Sequence, residues 1–166
     1  LAALEVTDDP QSAQATLNKA LALQDKHSVS WPPLAIAVFR VRRAMSPSDD
    51  LRAVVHQLLH GTEPVLRADV QVRLLEEWVD MEITDDQWDA AALLLEELVQ
   101  KARIIGNPLS EAEAMYQRAH VCAMLDQPEQ QERLLERTMA LAVRLGHAAL
   151  IEACQRERVR PEEDVG

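Results

Sequence analysis

Apolar residues recur at helical spacing along most of this chain, and no segment sustains an alternation of period two. Leu66, Val70, Leu74 and Trp78 lie four apart. Trp88, Ala91, Ala92, Leu95, Leu98, Val99, Ala102 and Ile105 form a wide helical stripe. Leu109, Ala112, Met115, Tyr116, Ala119, Cys122 and Ala123 form a second, and Leu134, Leu135, Thr138, Met139, Ala142 and Leu145 a third. Polar breaks separate these stripes, and several carry a helix-starting signal. Pro at the first helical position is preorganised for the turn, as at Pro10, Pro64, Pro108 and Pro128. Thr84 with Gln87 reads as a capping box.

The breaks predict eight helices. The first runs from Asp9-Pro10 to about Lys26, with Ala13, Leu17, Ala20 and Leu21 on one face. The second opens at Pro32-Pro33 and ends near Met45; its first half, from Leu34 to Phe39, is apolar on nearly every side. The third ends at His60-Gly61, the fourth runs from Pro64 to about Glu82, and the fifth from Thr84 to Ile105. The sixth starts at Asn107-Pro108, the seventh at Gln127-Pro128 and the eighth near His147. Connections this short make neighbouring helices antiparallel hairpins.

Two of these segments repeat at a spacing of 40 residues. Leu94-Leu95-Glu96 recurs as Leu134-Leu135-Glu136, Ala102 as Ala142, and Gly106 as Gly146. Asp86-Gln87 recurs as Asp126-Gln127. A fixed period marks one supersecondary unit laid down more than once. Each copy stops at Gly, the residue suited to the left-handed turn that ends a helix.

The stretch from Glu111 to Ala153 resembles a tetratricopeptide repeat of the long, roughly 40-residue kind. Glu111 to Ala119 resembles its first helix, and Arg133 to Gly146 its second helix and stop. Leu94 to Gly106 resembles the same second helix one copy earlier. The resemblance covers residues 86–153 well and 10–82 loosely. The shorter consensus fits poorly, because its Gly in the first helix and its Pro at the end of the second are missing. Similar long repeats form the sensory domains of maltose-regulator-type bacterial transcription activators. The resemblance implies an all-α fold of antiparallel hairpins stacked in a right-handed α–α superhelix, with seven or eight helices. From the residues themselves, 1–8 read as a frayed end, 9–157 as the repeat domain and 158–166 as a polar linker or tail.

Composition narrows the function. Aromatics are 3% of the 166 residues and the net charge is −11. Stacking platforms are nearly absent, and the charge disfavours sequence-independent phosphate binding, so no nucleic acid is expected. The longest apolar run is too short to cross a bilayer. Cys122 and Cys154 read as buried small hydrophobes of a reducing cytoplasm. The chain begins at Leu1, without a visible signal peptide, and is expected to be part of a longer protein.

Few residues suggest chemistry. His56 and His60 have the i, i+4 spacing of metal ligands, but Gln57 stands where a zinc protease needs its Glu base. They read as structural or surface histidines. His120 and Cys122 point to different helix faces, and His147 lies two turns from Cys154, so neither makes a nucleophile pair. No catalytic residue, metal or cofactor is expected.

Charge placement is more informative. Residues 61–100 carry eleven acids and two bases, whereas 1–60 carry six of each. The plain reading is a solvated acidic face. The sharper one is a partner surface in which Arg40 and Arg43 on one side and Glu76, Glu77 and Asp80 on the other give electrostatic complementarity. The functional expectation is a non-catalytic, cytoplasmic protein-interaction or regulatory repeat domain of a larger bacterial-type signalling or transcription regulator. Its partner would be another protein or another domain of the same chain, and a weak homodimer is expected. The alternative is a small-ligand sensor with a metabolite in the groove of the stack, where Trp31, Trp78 and Trp88 could line a pocket.

Overall fold

The structure, a computed structural model, describes residues 67–159 and, before them, Arg52, Val55, His56, Leu59 and His60. Every regular element among the described residues is a helix: α1 (Ala68–Thr84), α2 (Trp88–Ile104), α3 (Pro108–Met124), α4 (Pro128–Leu145) and α5 (Ala148–Val159). The five residues before them are also helical, within the span expected for the third helix. The two helices expected before residue 46, with Trp31, Arg40 and Arg43, lie outside the described residues, as do the end at 1–8 and residues 160–166. The chain forms two compact units, Leu1–Trp78 and Val79–Gly166, divided within α1.

In the second unit, α3 packs against both α2 and α4, and α5 packs against α4. The connections hold two or three residues, which makes successive helices antiparallel. Helix starts fall at 68, 88, 108, 128 and 148, so the geometric period is 20 residues, half the period visible in the sequence.

Each connection is the same device. The N–H of Gln87, Asn107, Gln127 and His147 donates to the carbonyl of Glu82, Ala102, Cys122 and Ala142, at 2.8–3.0 Å. The N–H one residue earlier donates three residues back, from Asp86 to Ile83, Gly106 to Arg103, Asp126 to Ala123 and Gly146 to Val143. This paired pattern is the Schellman stop, which satisfies carbonyls left open at a helix end. It requires positive φ at its penultimate residue, and φ there is 56°, 70°, 56° and 65° for Asp86, Gly106, Asp126 and Gly146. The receiving residue then starts the next helix, since its own carbonyl accepts from Ala91, Glu111, Gln131 or Ile151.

Two details depart from the sequence reading. Thr84 and Gln87 form no capping box. Thr84 ends α1 and its hydroxyl donates to the Asp80 carbonyl at 2.6 Å, while Gln87 starts α2 without a side-chain cap. In so short a connection, the residue that closes one helix must also open the next. The fourth helix begins at Ala68 and not near Pro64, with the Arg67 carbonyl accepting from Val70 and Gln71. Side-chain capping is found instead at Asn107, whose Oδ1 accepts from the Ser110 N–H, and at His147, whose Nδ1 accepts from the Leu150 N–H.

The core follows the same period. Leu94, Ala114, Leu134 and Cys154 are buried at one register, and Leu95, Met115 and Leu135 at the next. Leu95 and Leu135 occupy equivalent sites, 0% and 2% exposed. Each such leucine contributes roughly 1.5–3 kcal/mol by leaving water. The Schellman carbonyls at 102, 122 and 142 belong to buried Ala, Cys and Ala. Glu82 stands at the corresponding place and is 2% exposed, so one member of the acidic stretch is interior rather than solvated. Thr138 is buried with its hydroxyl donating to the Leu134 carbonyl at 2.8 Å.

Candidate interaction surface

Ion pairs tie the antiparallel neighbours together at the repeat spacing. Arg118 of α3 donates to Glu96 of α2 at 3.1 Å. Forty residues on, Arg158 of α5 pairs with Glu136 of α4 at 3.3 Å, and it also holds Glu132. Arg158 lies in the last turn of α5, which runs to Val159. Bonding to Glu132 raises the Arg158 pKa further. Forty residues before Glu96 and Arg118 stand His56 and Trp78, whose rings meet edge-on with centroids 6.3 Å apart. One register thus holds an aromatic pair in the first unit and ion pairs twice in the second.

Arg103 at the end of α2 also reaches Glu111 in the first turn of α3, at 2.6 Å. That carboxylate sits where the partial positive charge of a helix N-terminus favours it.

The outer faces of α2 and α4 differ at equal register. On α2, Leu93 is 71% exposed and Ile104 is 82% exposed. On α4 the matching positions are Arg133 and Arg144, also exposed, with exposed Arg137 and Ala140 between them. Spacings of four, seven and eleven residues place these side chains on one face. Arg133 donates through Nε to the Glu129 carbonyl of its own helix. Among the described residues, Arg133, Arg137 and Arg144 form no ion pair. In the sequence this stripe is masked by Glu129, Glu132 and Glu136, which alternate with it.

Of the residues expected at a partner surface, Glu76 and Glu77 are half-buried on α1 and Asp80 is exposed one turn on from Glu76. Arg40 and Arg43 lie outside the described residues. The His56 and His60 rings are 4.8 Å apart, and the described residues contain no group of three or more His, Cys, Asp or Glu side chains placed to hold a metal. Cys122 and Cys154 are buried free thiols. Burial raises both pKa values; Arg118 opposes the shift at Cys122, and Arg158 opposes it at Cys154. Tyr116 is raised by burial and by the charge of Glu157, to which its hydroxyl also hydrogen-bonds. No described helix is long and apolar enough to cross a membrane.

Compared with known protein families, curated proteins and solved structures, the chain matches none.

Proposed function

We propose that the chain is a non-catalytic interaction module built from 40-residue helical hairpins. In this reading the hairpins stack in a right-handed superhelix of the tetratricopeptide kind, and the module serves a larger bacterial-type signalling or transcription regulator in the cytoplasm. The observation that carries the reading is the reuse of one hairpin frame with different outward residues. Buried positions and Schellman stops repeat, while Leu93 and Ile104 give way to Arg133 and Arg144. A frame that keeps its core and varies its surface presents a new binding face with each repeat.

Site-specific photo-crosslinking from positions 93 and 104, in the cell that makes the protein, tests the proposal. One discrete adduct, lost when both residues are changed to Lys in a variant of unchanged helicity and melting temperature, is the expected result. A functional assay that survives the double change, with no adduct at either position, would refute a role for this face.

A further inference from the structure

We propose that the arginine stripe of α4 docks against the acidic face of α1 in a second copy of this chain, with the two helices antiparallel. The inference goes beyond capture of a different protein and stands or falls independently of it. Arg133, Arg137 and Arg144 are separated by four and seven residues, and all three are exposed. The chain holds seventeen bases and twenty-eight acids, and among the described residues these three arginines share one face without an acidic partner.

Helix α1 carries the complementary spacing in reverse. Read backward, Asp80, Glu76 and Asp69 are also separated by four and seven. An antiparallel alignment therefore sets Arg133 against Asp80, Arg137 against Glu76 and Arg144 against Asp69 at once. The stripe spans about 16 Å at 1.5 Å per residue. Ala140 falls opposite Arg73, so a small side chain meets the one cation on the acidic face. The parallel alignment fails on the same residues, because it would set Arg137 against Arg73. Asp69 already holds Arg67 at 3.0 Å, with both side chains more than half exposed. Such a pair is weak and readily shared. Glu76 and Asp80 engage groups of their own chain, and a carboxylate has lone pairs for more than one donor. Two of these acids, Glu76 and Asp80, are among those the sequence marked as a partner surface.

The contact joins different surfaces of the two copies, so it either closes by reciprocal exchange or propagates as a chain of copies. Each copy carries a charge of −11, which opposes association at long range. Salt near 0.15 M screens that repulsion beyond about 8 Å, whereas about 1 M salt screens the ion pairs themselves.

Sedimentation velocity over a concentration series tests the proposal with a charge exchange. Arg133→Glu with Arg137→Glu forms one variant, and Glu76→Arg with Asp80→Arg the other. Each alone should associate about tenfold or more weakly than the wild type, since like charges then oppose one another. Mixed in equal amounts, the two variants should associate with one another, and all four changes in one chain should restore self-association. High salt should dissociate the wild type. All the changes lie on helix surfaces, and circular dichroism checks that each variant is folded. A wild type that stays monomeric at high concentration near 0.15 M salt overturns the proposal. So does self-association that either folded variant retains in full, or a mixture that fails to associate.

Discussion

Arg118 reaches back across twenty-two residues to hold Glu96, with Nη2 and Oε2 3.1 Å apart. Its Nε is buried without a hydrogen-bond partner. The pair therefore combines one half-exposed carboxylate with a guanidinium that is only partly satisfied. Breaking such a pair from one side differs from replacing it. Glu96→Ala leaves the mostly buried cation without its acceptor and should cost about 1 kcal/mol. Arg118→Met keeps the packed stem and removes both the charge and the orphan N–H, so it should cost less or nothing. Urea unfolding of the two single variants decides this. A larger loss for Arg118→Met would mean that the charge, rather than the stem, stabilises the α2–α3 contact.

The repeat was legible because Leu94-Leu95-Glu96 and Leu134-Leu135-Glu136 play the same part in α2 and α4. The finer 20-residue period was hidden. Its left-handed positions alternate between Asp and Gly, and Pro follows only two of the four stops, at 108 and 128. The false capping box at Thr84 arose because the local pattern was right but the connection was too short to contain it. Cross-helix pairs such as Arg118–Glu96 depend on the register of two helices, which no single amphipathic stripe reveals. The α4 arginines were visible as residues, but their lack of partners is a property of packing. That Glu82 is interior is not legible in the sequence, because the periodicity of α1 alone does not show that its last turn is covered.

Leu95→Ala and Leu135→Ala should each destabilise by about 2–5 kcal/mol, because both leucines are buried at the same place in successive repeats. Leu93→Ala supplies the contrast. Its side chain is on the outside of α2, and the change should stay within about 0.5 kcal/mol. Chemical denaturation of the three variants measures the difference. Equal losses at 93 and 95 would put the wrong face of α2 inward.

The four stops make separate predictions for Gly and Asp. Gly106 and Gly146 have φ of 70° and 65°, and a Cβ at either would meet nothing within 4 Å. Ala there pays only the left-handed backbone penalty, about 1–2 kcal/mol. Asp86 and Asp126 hold the same conformation with a side chain present. Asp→Gly relieves strain but enlarges the freedom of the unfolded chain, so the net change should be under about 1 kcal/mol. Thermal unfolding of Gly106→Ala and Asp126→Gly compares the two. A Gly106→Ala variant as stable as the wild type would show that the α2–α3 stop does not need the left-handed residue.

Alkaline pH should destabilise the second unit through its buried acids. Burial raises the pKa of Cys122 and Cys154 above the ordinary thiol value of 9.0 and that of Tyr116 above 10.0. An acid with a raised folded pKa holds its proton more firmly folded than unfolded. Stability is therefore full below the ordinary value and falls as pH climbs through it toward the raised value, because the unfolded chain releases protons first. The effect at the thiols should begin near pH 9 and deepen as Tyr116 joins it. Replacing both cysteines by Ala lowers stability at neutral pH through lost packing, but it should also flatten the decline between about pH 8.5 and 10.5. Urea midpoints measured across that range for the wild type and the double variant separate the two effects. Parallel declines in the two proteins would show that the buried thiols do not set the alkaline limit.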